Sequence, residues 1–148
     1  MDYIKYIRGK VGHDLLILVV VIGVAEKDGK ILMVRKKGQR NFGLPGGFID
    51  IGETAEETLK REMREETSLQ ATPTGLLGVY TNYPVQTYPN GDKAHVIHIV
   101  LACTVKGTPV PDGDEIEEIK FVDKKNALNS RHKILIKDYL KGNRGVIR

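Results

Sequence analysis

Residues 46–69 read GGFIDIGETAEETLKREMREETSL, a glycine-rich turn followed by a segment with the pattern of an amphipathic helix. On a helix of about 3.6 residues per turn, Glu65 and Glu66 follow Glu62 by three and four positions, so the three carboxylates project from one surface. Like charges this close raise one another's pKa and destabilise the helix unless a cation lies among them. Because clustered carboxylate oxygens suit Mg²⁺ or Mn²⁺, the segment is predicted to be a metal site.

The alternative is that these glutamates form an acidic helix face in contact with water. Successive helical residues are about 100° apart, which places Glu66 inside the apolar stripe of the segment. That stripe consists of Ala55, Leu59 and Met63. A carboxylate on the inward face costs several kcal/mol unless it is paired, hydrogen-bonded or bound to metal. Arg61 could orient Glu62 or Glu65 but cannot neutralise all three carboxylates, so the pattern favours the metal site.

The segment resembles the signature of the Nudix hydrolases, in which glycines and acidic residues recur at fixed spacing. That signature is a glycine, five residues, Glu, seven residues, Arg-Glu, an aliphatic residue, any residue, Glu-Glu, any residue, glycine and an aliphatic residue. The matching positions are Gly47, Glu53, Arg61, Glu62, Met63, Glu65, Glu66 and Leu69. Ser68 stands where the family has a glycine that ends the helix in a left-handed conformation, so we expect Ser68 to cost about 1 kcal/mol.

The resemblance implies a reaction, namely hydrolysis of a nucleoside diphosphate linked to another moiety by attack of water on a P–O–P bridge. Three glutamates, Glu62, Glu65 and Glu66, would hold one or more divalent cations, and the Gly46 carbonyl would be a further ligand. Arg61 would orient the carboxylates. The base that activates water is Glu62 or a carboxylate of the loop at 112–115, which also has the composition of a simple turn.

Two further residues of the motif have implied roles beside the metal. Glu53 would brace the loop against the helix or contact a second metal through water. The backbone at Gly47 would contact phosphate oxygens, since a glycine turn that leads into a helix N-terminus favours anions. The sequence contains no Gly-x-x-x-x-Gly-Lys-Ser/Thr, which argues against a P-loop NTPase.

Candidates for substrate recognition lie in the loop at 81–95 and before the glycine turn. Tyr83, Tyr88 and Phe42 could stack on a base, although each could equally pack against the sheet. Pro84 follows Leu69 by fifteen positions, which resembles a position associated with ADP-ribose-type Nudix hydrolases. Arg35 is the strongest of several basic residues that could meet phosphate charge.

Residues 1–148 are predicted to form one Nudix domain of the α+β class. Apolar runs bounded by turn residues predict strands at 15–26, 31–35, 76–80, 96–105 and 116–122. Ser130 is predicted to cap a final helix that runs through Leu140 and stops at Gly142. His95 and His98 are predicted to be sheet positions on one face rather than metal ligands. The expected result is a mixed β-sheet sandwiched between α-helices (α/β/α), which is also the architecture that the resemblance implies.

The net charge suits an anionic ligand, and the resemblance implies that this partner is a small-molecule nucleotide derivative. The net charge is +4, from 23 Lys and Arg against 19 Asp and Glu. The single Cys103 is predicted to be a buried thiol, which points to a reducing, cytoplasmic location. The apolar run at 15–25 is too short to span a bilayer; its length also fits a signal peptide, but its Val and Ile content favours a strand. A homodimer is compatible with the sequence.

Two alternatives to this enzyme remain open. The first is a nucleotide-binding regulatory module without the chemistry, but a pure binding protein would not need Arg61 together with all three glutamates. The second is a pyrophosphohydrolase that acts on the 5′ end of RNA. The basic tail at 131–148 permits this activity, but it carries no aromatic platform or nucleic-acid motif, so nucleic acid is not expected as a partner.

Overall fold

The computed structural model describes residues 2–148, in which eight strands form one mixed sheet. In chain order the elements are α1 (Tyr3–Val11), β1 (Leu15–Lys27), β2 (Lys30–Lys36), β3 (Gly46–Phe48), α2 (Ala55–Thr67), β4 (Gln70–Tyr80), β5 (Gln86–Thr87), β6 (Lys93–Lys106), β7 (Ile116–Asp123), α3 (Lys124–Ala127), α4 (Lys133–Leu140) and β8 (Val146–Ile147). The order across the sheet is β7-β2-β1-β6-β4-β8, while β3 pairs with β1 and β5 pairs with β6. The predicted α+β class with a mixed sheet is confirmed.

Strand β1 is central because its residues are apolar on both faces. It pairs in parallel with β6 and antiparallel with β2 and β3. Val21 packs in a cluster with Leu59 of α2, whereas its neighbour Ile22 packs in a second cluster with Leu135 of α4. A Cβ at Gly23 would lie 2.7 Å from the Leu59 Cδ1, so this glycine lets α2 approach closely. Helices therefore cover both faces of the sheet, as the sequence predicts.

The ends of α2 fix where the acidic residues lie. Glu57 N donates to Thr54 Oγ1 at 3.2 Å, and Thr54 N donates to Glu57 Oε2 at 2.8 Å, which together form a capping box. At the other end Ser68 has φ 62° and lies in the left-handed region. The expected strain at Ser68 is therefore present, since a Cβ is disfavoured in this conformation.

We expect Ser68→Gly to raise the free energy of unfolding by about 1 kcal/mol, because glycine adopts the left-handed conformation without strain. The hydrogen bond lost, from Ser68 Oγ to Val110 O at 3.2 Å, is exposed. Urea unfolding followed by circular dichroism measures the change. Ser68→Ala is the matched control, since it removes the same hydroxyl and keeps the Cβ. Equal stability of the two variants would contradict the strain.

Several elements differ from the sequence-based boundaries, and the largest differences are at α1, β4 and α4. Residues 3–11 form α1, which the sequence pattern does not predict because none of its residues is buried. β4 begins at Gln70 rather than at 76, since a register shift between Pro73 and Gly75 accommodates two residues that resemble a turn. The prediction that Ser130 caps the final helix is wrong: α4 begins at Lys133 with His132 at the N-cap, and Ser130 Oγ accepts a hydrogen bond from His132 N at 3.2 Å in the preceding turn. Its end at Leu140 agrees with the prediction.

The two histidines of β6 do not share a face. Side chains alternate along a strand, so residues three positions apart point in opposite directions and the predicted common face is wrong. His95 Nε2 lies 2.8 Å from Thr81 O, whereas His98 is buried at 5% exposure.

The basic tail is bound to the domain, since Arg148 Nη2 lies 2.9 Å from Oδ1 of the buried Asp138.

Within residues 2–148, no helix has the length and apolar character needed to cross a bilayer.

Candidate active site

The glycine turn lies directly against β1 and α2. Gly46 has φ 149°, and a Cβ there would collide with the backbone carbonyl of Val21. A Cβ at Gly47 would instead collide with the carboxylate of Glu62. The two glycines therefore let the backbone of β3 approach both the central strand and the first acidic residue of the cluster.

Glu66 is the most buried carboxylate of the cluster, with 2% of its surface exposed. Its Oε2 accepts a hydrogen bond from Gly46 N at 3.0 Å. Its Oε1 is buried and has no hydrogen-bond partner within residues 2–148, and the Lys36 Nζ lies 3.7 Å away. Burial raises the pKa of Glu66 to about 7, although Lys36 and the Gly46 N–H act in the opposite direction.

Arg61 binds the other carboxylates of the motif. Its Nη2 donates to Glu53 Oε2 at 2.9 Å and to Phe48 O at 3.1 Å, and its Nη1 donates to Glu62 Oε1 at 2.7 Å and Glu65 Oε2 at 3.3 Å. These bonds to Arg61 lower the pKa of Glu53 to about 2. Burial raises the pKa of Glu62, which Arg61 offsets only in part. Arg61 thus fixes the relative positions of three carboxylates and does not reach Glu66.

Glu53 also ties the loop to the helix. Its Oε2 accepts hydrogen bonds from Asp50 N at 3.1 Å and from Thr58 Oγ1 at 2.9 Å. These contacts hold the end of the glycine-rich loop against the first turn of α2, as expected of a bracing residue.

The loop at 112–115 contributes one carboxylate to the site. Asp112 Oδ1 accepts hydrogen bonds from three backbone N–H groups, those of Asp114, Glu115 and Ile116, and so holds the turn in shape. Glu115 Oε1 instead lies 2.8 Å from Lys36 Nζ. Glu115 lines the cavity described below, whereas Asp112 and Asp114 do not.

A cavity of about 970 Å³ opens beside the acidic cluster, near the upper end of the range for small-molecule sites. We call the part at the glycine turn and the acidic cluster the charged end; aromatic and apolar side chains also line the cavity, together with the charged Asp2, Lys5, Arg8, Asp50 and Asp92. The charged end is lined by Lys36, Gly46, Gly47, Arg61, Glu62, Glu65, Glu115 and Arg131. The floor includes His98 and His132. Because Leu44 N donates to His132 Nδ1 at 2.9 Å and burial lowers the pKa of His132, this imidazole is neutral and carries its proton on Nε2.

Of the substrate contacts predicted outside the loop at 81–95, Gly47 lines this cavity, whereas Arg35 and Phe42 do not. Arg35 forms ion pairs with Glu117 and Glu118 on β7. Phe42 lies under the Lys120 ammonium, with Nζ 4.1 Å from the ring centroid.

The predicted substrate contacts in the loop at 81–95 also include residues that line the cavity and residues that do not. Tyr83 stacks on His98 with ring centroids 4.2 Å apart. Neither Tyr83 nor Pro84 lines the cavity, whereas Tyr88 of the same loop does, and so do Lys36 and Arg131. A register shift between Arg35 and Lys36 interrupts the alternation of β2, so the strand period does not show which of the two faces the site. No sequence signal identifies Arg131, which reaches the cavity from the turn before α4.

The arrangement of a glycine turn, a buried carboxylate and an arginine-held cluster agrees with the similarity to known proteins. A model of the NUDIX domain matches residues 15–141. The chain belongs to the Nudix family. This Nudix hydrolase is 41% identical over 133 residues to an ADP-ribose pyrophosphatase of Methanocaldococcus jannaschii, a match that covers 86% of this chain and 75% of that protein. The chain is thus a Nudix pyrophosphohydrolase.

Solved structures of Nudix proteins support the fold. A UDP-X diphosphatase superposes with a TM-score of 0.70 at 23% identity and covers 99% of this chain and 73% of that one. The MutT protein from Methanosarcina mazei has a TM-score of 0.70 at 20% identity, with 87% of this chain and 96% of that chain covered. At these identities the two structures bear on the fold alone.

Nudix hydrolases generally use a divalent metal, and the side chains of this Nudix hydrolase fit one. As they stand in residues 2–148, no three or more His, Cys, Asp or Glu side chains are arranged as a metal site. The carboxylates do not converge on one point because Arg61 binds Glu62 and Glu65, while Glu66 accepts a hydrogen bond from the Gly46 N–H. The buried Oε1 of Glu66 nevertheless accepts no hydrogen bond within residues 2–148 and has only the Lys36 ammonium, 3.7 Å away, as a positive neighbour, and hard carboxylate oxygens are the ligands that Mg²⁺ and Mn²⁺ prefer.

Proposed function

We propose that this Nudix hydrolase cleaves the P–O–P bridge of ADP-ribose or a related ADP-sugar in the presence of Mg²⁺ or Mn²⁺. The observation that carries the proposal is the buried Glu66 Oε1, which has no hydrogen-bond partner in the described chain and lies beside Gly46. A cation bound there would compensate a charge that is otherwise costly to bury. The similarity to an ADP-ribose pyrophosphatase supports the substrate class.

The residues of the charged end have separable roles in this reaction. We assign Glu62, Glu65, Glu66 and the Gly46 carbonyl to the divalent cation, which supplies charge neutralisation of the phosphoryl oxygens and a lower pKa for the attacking water. Arg61 positions Glu62 and Glu65, and Glu53 holds Arg61. Gly47 presents its backbone to the phosphates.

Lys36 and Arg131 supply the positive charge that meets the pyrophosphate. Both line the cavity, and Lys36 already lies within 3.7 Å of Glu66. Arg131 Nη1 donates to Gln39 Oε1 at 2.7 Å, which fixes its guanidinium at the rim. An incoming phosphate would offer both cations a charge-assisted hydrogen bond.

Two carboxylates fit the role of the base that removes a proton from water. Glu62 lies in the cluster and its pKa is raised by burial, which brings it closer to the working range of a base. Glu115 lies across the cavity and is paired with Lys36. Asp112 is excluded because its carboxylate holds the turn.

A substrate screen tests the proposal. With Mg²⁺ present, we expect ADP-ribose to yield AMP and ribose 5-phosphate, with kcat/KM about tenfold or more above that for nucleoside triphosphates, since the site would bind both halves of the substrate. The panel also contains other ADP-sugars, dinucleoside polyphosphates, NADH and RNA with a 5′ triphosphate. Chromatography of the products after reaction in ¹⁸O-labelled water identifies the phosphorus attacked.

Other results of the screen would favour one of the alternative functions or contradict the metal requirement. Failure to turn over any substrate, with saturable nucleotide binding, would favour the regulatory module. Preferred cleavage of the RNA would favour the 5′-end activity. Activity that persists in EDTA would contradict the metal requirement. The single domain at 1–148, the cytoplasmic location and a homodimer remain proposals from the sequence.

A further inference from the structure

Helix α1 contributes to the cavity although it lies outside the part of the chain that the NUDIX domain model matches. The match covers residues 15–141, whereas α1 spans Tyr3–Val11. Four residues of its first two turns, Tyr3, Ile4, Lys5 and Arg8, nevertheless line the cavity, and so does Asp2 before them. The cavity wall on this side therefore lies outside the residues that the domain model matches.

Polar contacts hold the two ends of α1 to opposite rims of the cavity. At its start, Tyr3 N donates to Asp50 Oδ1 at 2.9 Å, on the loop that follows β3. At its end, Arg8 Nη2 donates to Lys93 O at 2.7 Å, where β6 begins. Just beyond α1, His13 Nδ1 lies 2.8 Å from Asp92 Oδ1. None of the residues of α1 is fully buried, so these polar contacts act together with the partial packing of Tyr3 and Ile4 against the sheet to fix its position.

The part of the cavity beneath α1 carries aromatic side chains in addition to the charged Asp2, Lys5, Arg8, Asp50 and Asp92. Tyr3, Phe48 and Tyr88 all line it, and all three pack around the apolar cluster of Leu18, Ala94 and Val96. Lys5, which also lines the cavity, has no ion pair within residues 2–148. Three aromatic rings beside an unpaired ammonium suit a planar ring system that carries a phosphate.

We propose that α1, together with Phe48 and Tyr88, forms the wall that binds the nucleobase of the substrate, with Tyr3 in contact with the base. The pyrophosphate lies at the glycine turn, and Lys5 meets the phosphate on the nucleoside side. The half of the substrate without a base extends over His98 and His132. This inference rests on the proposed function for the identity of the substrate. It adds which part of the cavity binds which half of that substrate.

Calorimetric titration with the two expected products separates the two ends of the cavity. AMP carries the nucleobase and ribose 5-phosphate does not, so only AMP should sense the aromatic wall. We expect Tyr3→Ala to raise the Kd for AMP about tenfold in Mg²⁺ buffer, as the loss of one base contact predicts, and to leave that for ribose 5-phosphate unchanged. Tyr3→Phe should retain wild-type affinity for AMP.

Tyr6→Ala is the matched control, because Tyr6 lies on the same helix with 49% exposure and does not line the cavity. Its Kd for AMP should equal that of the wild type. Tyr88→Ala, on a different element, should repeat the pattern of Tyr3→Ala and covers the case in which Tyr3→Ala does not fold. Wild-type affinity of both Tyr3→Ala and Tyr88→Ala for AMP would overturn the inference, and so would an equal loss of affinity for AMP and ribose 5-phosphate.

The same measurements distinguish this inference from the proposed function. If the wild type hydrolyses no ADP-ribose but Tyr3→Ala still loses AMP selectively, the proposed reaction is wrong and the nucleobase wall stands. If the wild type hydrolyses ADP-ribose and both Tyr3→Ala and Tyr88→Ala leave the AMP affinity unchanged, the reaction stands and the wall is wrong.

Discussion

Glu66→Gln should lower kcat/KM on the order of 10³-fold and, at the same time, stabilise the metal-free protein above pH 7. Activity falls because a neutral amide is a weak ligand for a hard divalent cation, and a bound metal supplies several kcal/mol of transition-state stabilisation, at about 1.4 kcal/mol per factor of ten. Stability rises because the glutamine side chain fills nearly the same volume as the buried Glu66 without a negative charge.

The pH dependence of this stability difference follows from the pKa of Glu66. Burial raises that pKa from 4.5 to about 7 in the folded protein. Between these values the native state keeps a proton that the unfolded state has lost, so stability falls as pH rises through this range. Glutamine has no such proton, and we expect Glu66→Gln to exceed the wild type by about 2–3 kcal/mol at pH 8 and by nothing below pH 4.5.

Urea unfolding in EDTA between pH 4.5 and pH 8 measures the stability difference, and initial rates on the best substrate measure the activity. Glu56→Gln is the control, since Glu56 lies exposed on the same helix. It should change neither quantity. Wild-type rates in Glu66→Gln would contradict its role as a ligand, and a pH-independent stability difference would contradict the raised pKa.

Arg61→Met should destabilise the protein by about 2–3 kcal/mol at pH 7, somewhat below the cost of breaking a fully buried ion pair because Arg61 is 26% exposed. It should also reduce kcat/KM by about 10–100-fold, since Glu62 and Glu65 lose the guanidinium that positions them. The aliphatic part of methionine retains the packing of the arginine stem, so the loss reports mainly on charge and hydrogen bonding.

The change in unfolding free energy at acid pH should show that Glu53 is the main partner of Arg61 in stabilising the protein. Arg61 lowers the pKa of Glu53 from 4.5 to about 2. This shift stabilises the native state above pH 4.5, and the stabilisation is lost as the pH falls toward 2. The difference between Arg61→Met and the wild type should therefore shrink as the pH falls through this range. Arg64→Met, exposed on the same helix, is the control and should leave stability and rate unchanged. A constant difference across the pH range would contradict the Glu53 pairing.

Local sequence patterns predict most features of helix α2 and of the central strand β1. The helical period places Glu66 on the inward face from sequence alone, and the structure finds it buried. The unbroken apolar run of β1 likewise indicates a central strand with helices on both sides. These features depend on residues a few positions apart, and the repeat of a helix or strand fixes their relative directions.

Other features depend on partners that are distant in the chain. A register shift interrupts the alternation of β2 between Arg35 and Lys36, and the position of β7 and of the residue before it determines that Arg35 pairs with Glu117 and Lys36 with Glu115. Helix α1 has no buried stripe, and contacts to Asp50 and Lys93 hold it in place.

The sequence by itself determined the family, the mixed sheet and the acidic helix with its inward carboxylate, because these follow from spacing and periodicity within short segments. Only the tertiary structure decided which cations face the carboxylates, which aromatic residues line the cavity, and that α1 closes one side of it. Those features arise where chain segments tens of residues apart meet, and side-chain alternation gives opposite faces without saying which face meets a partner.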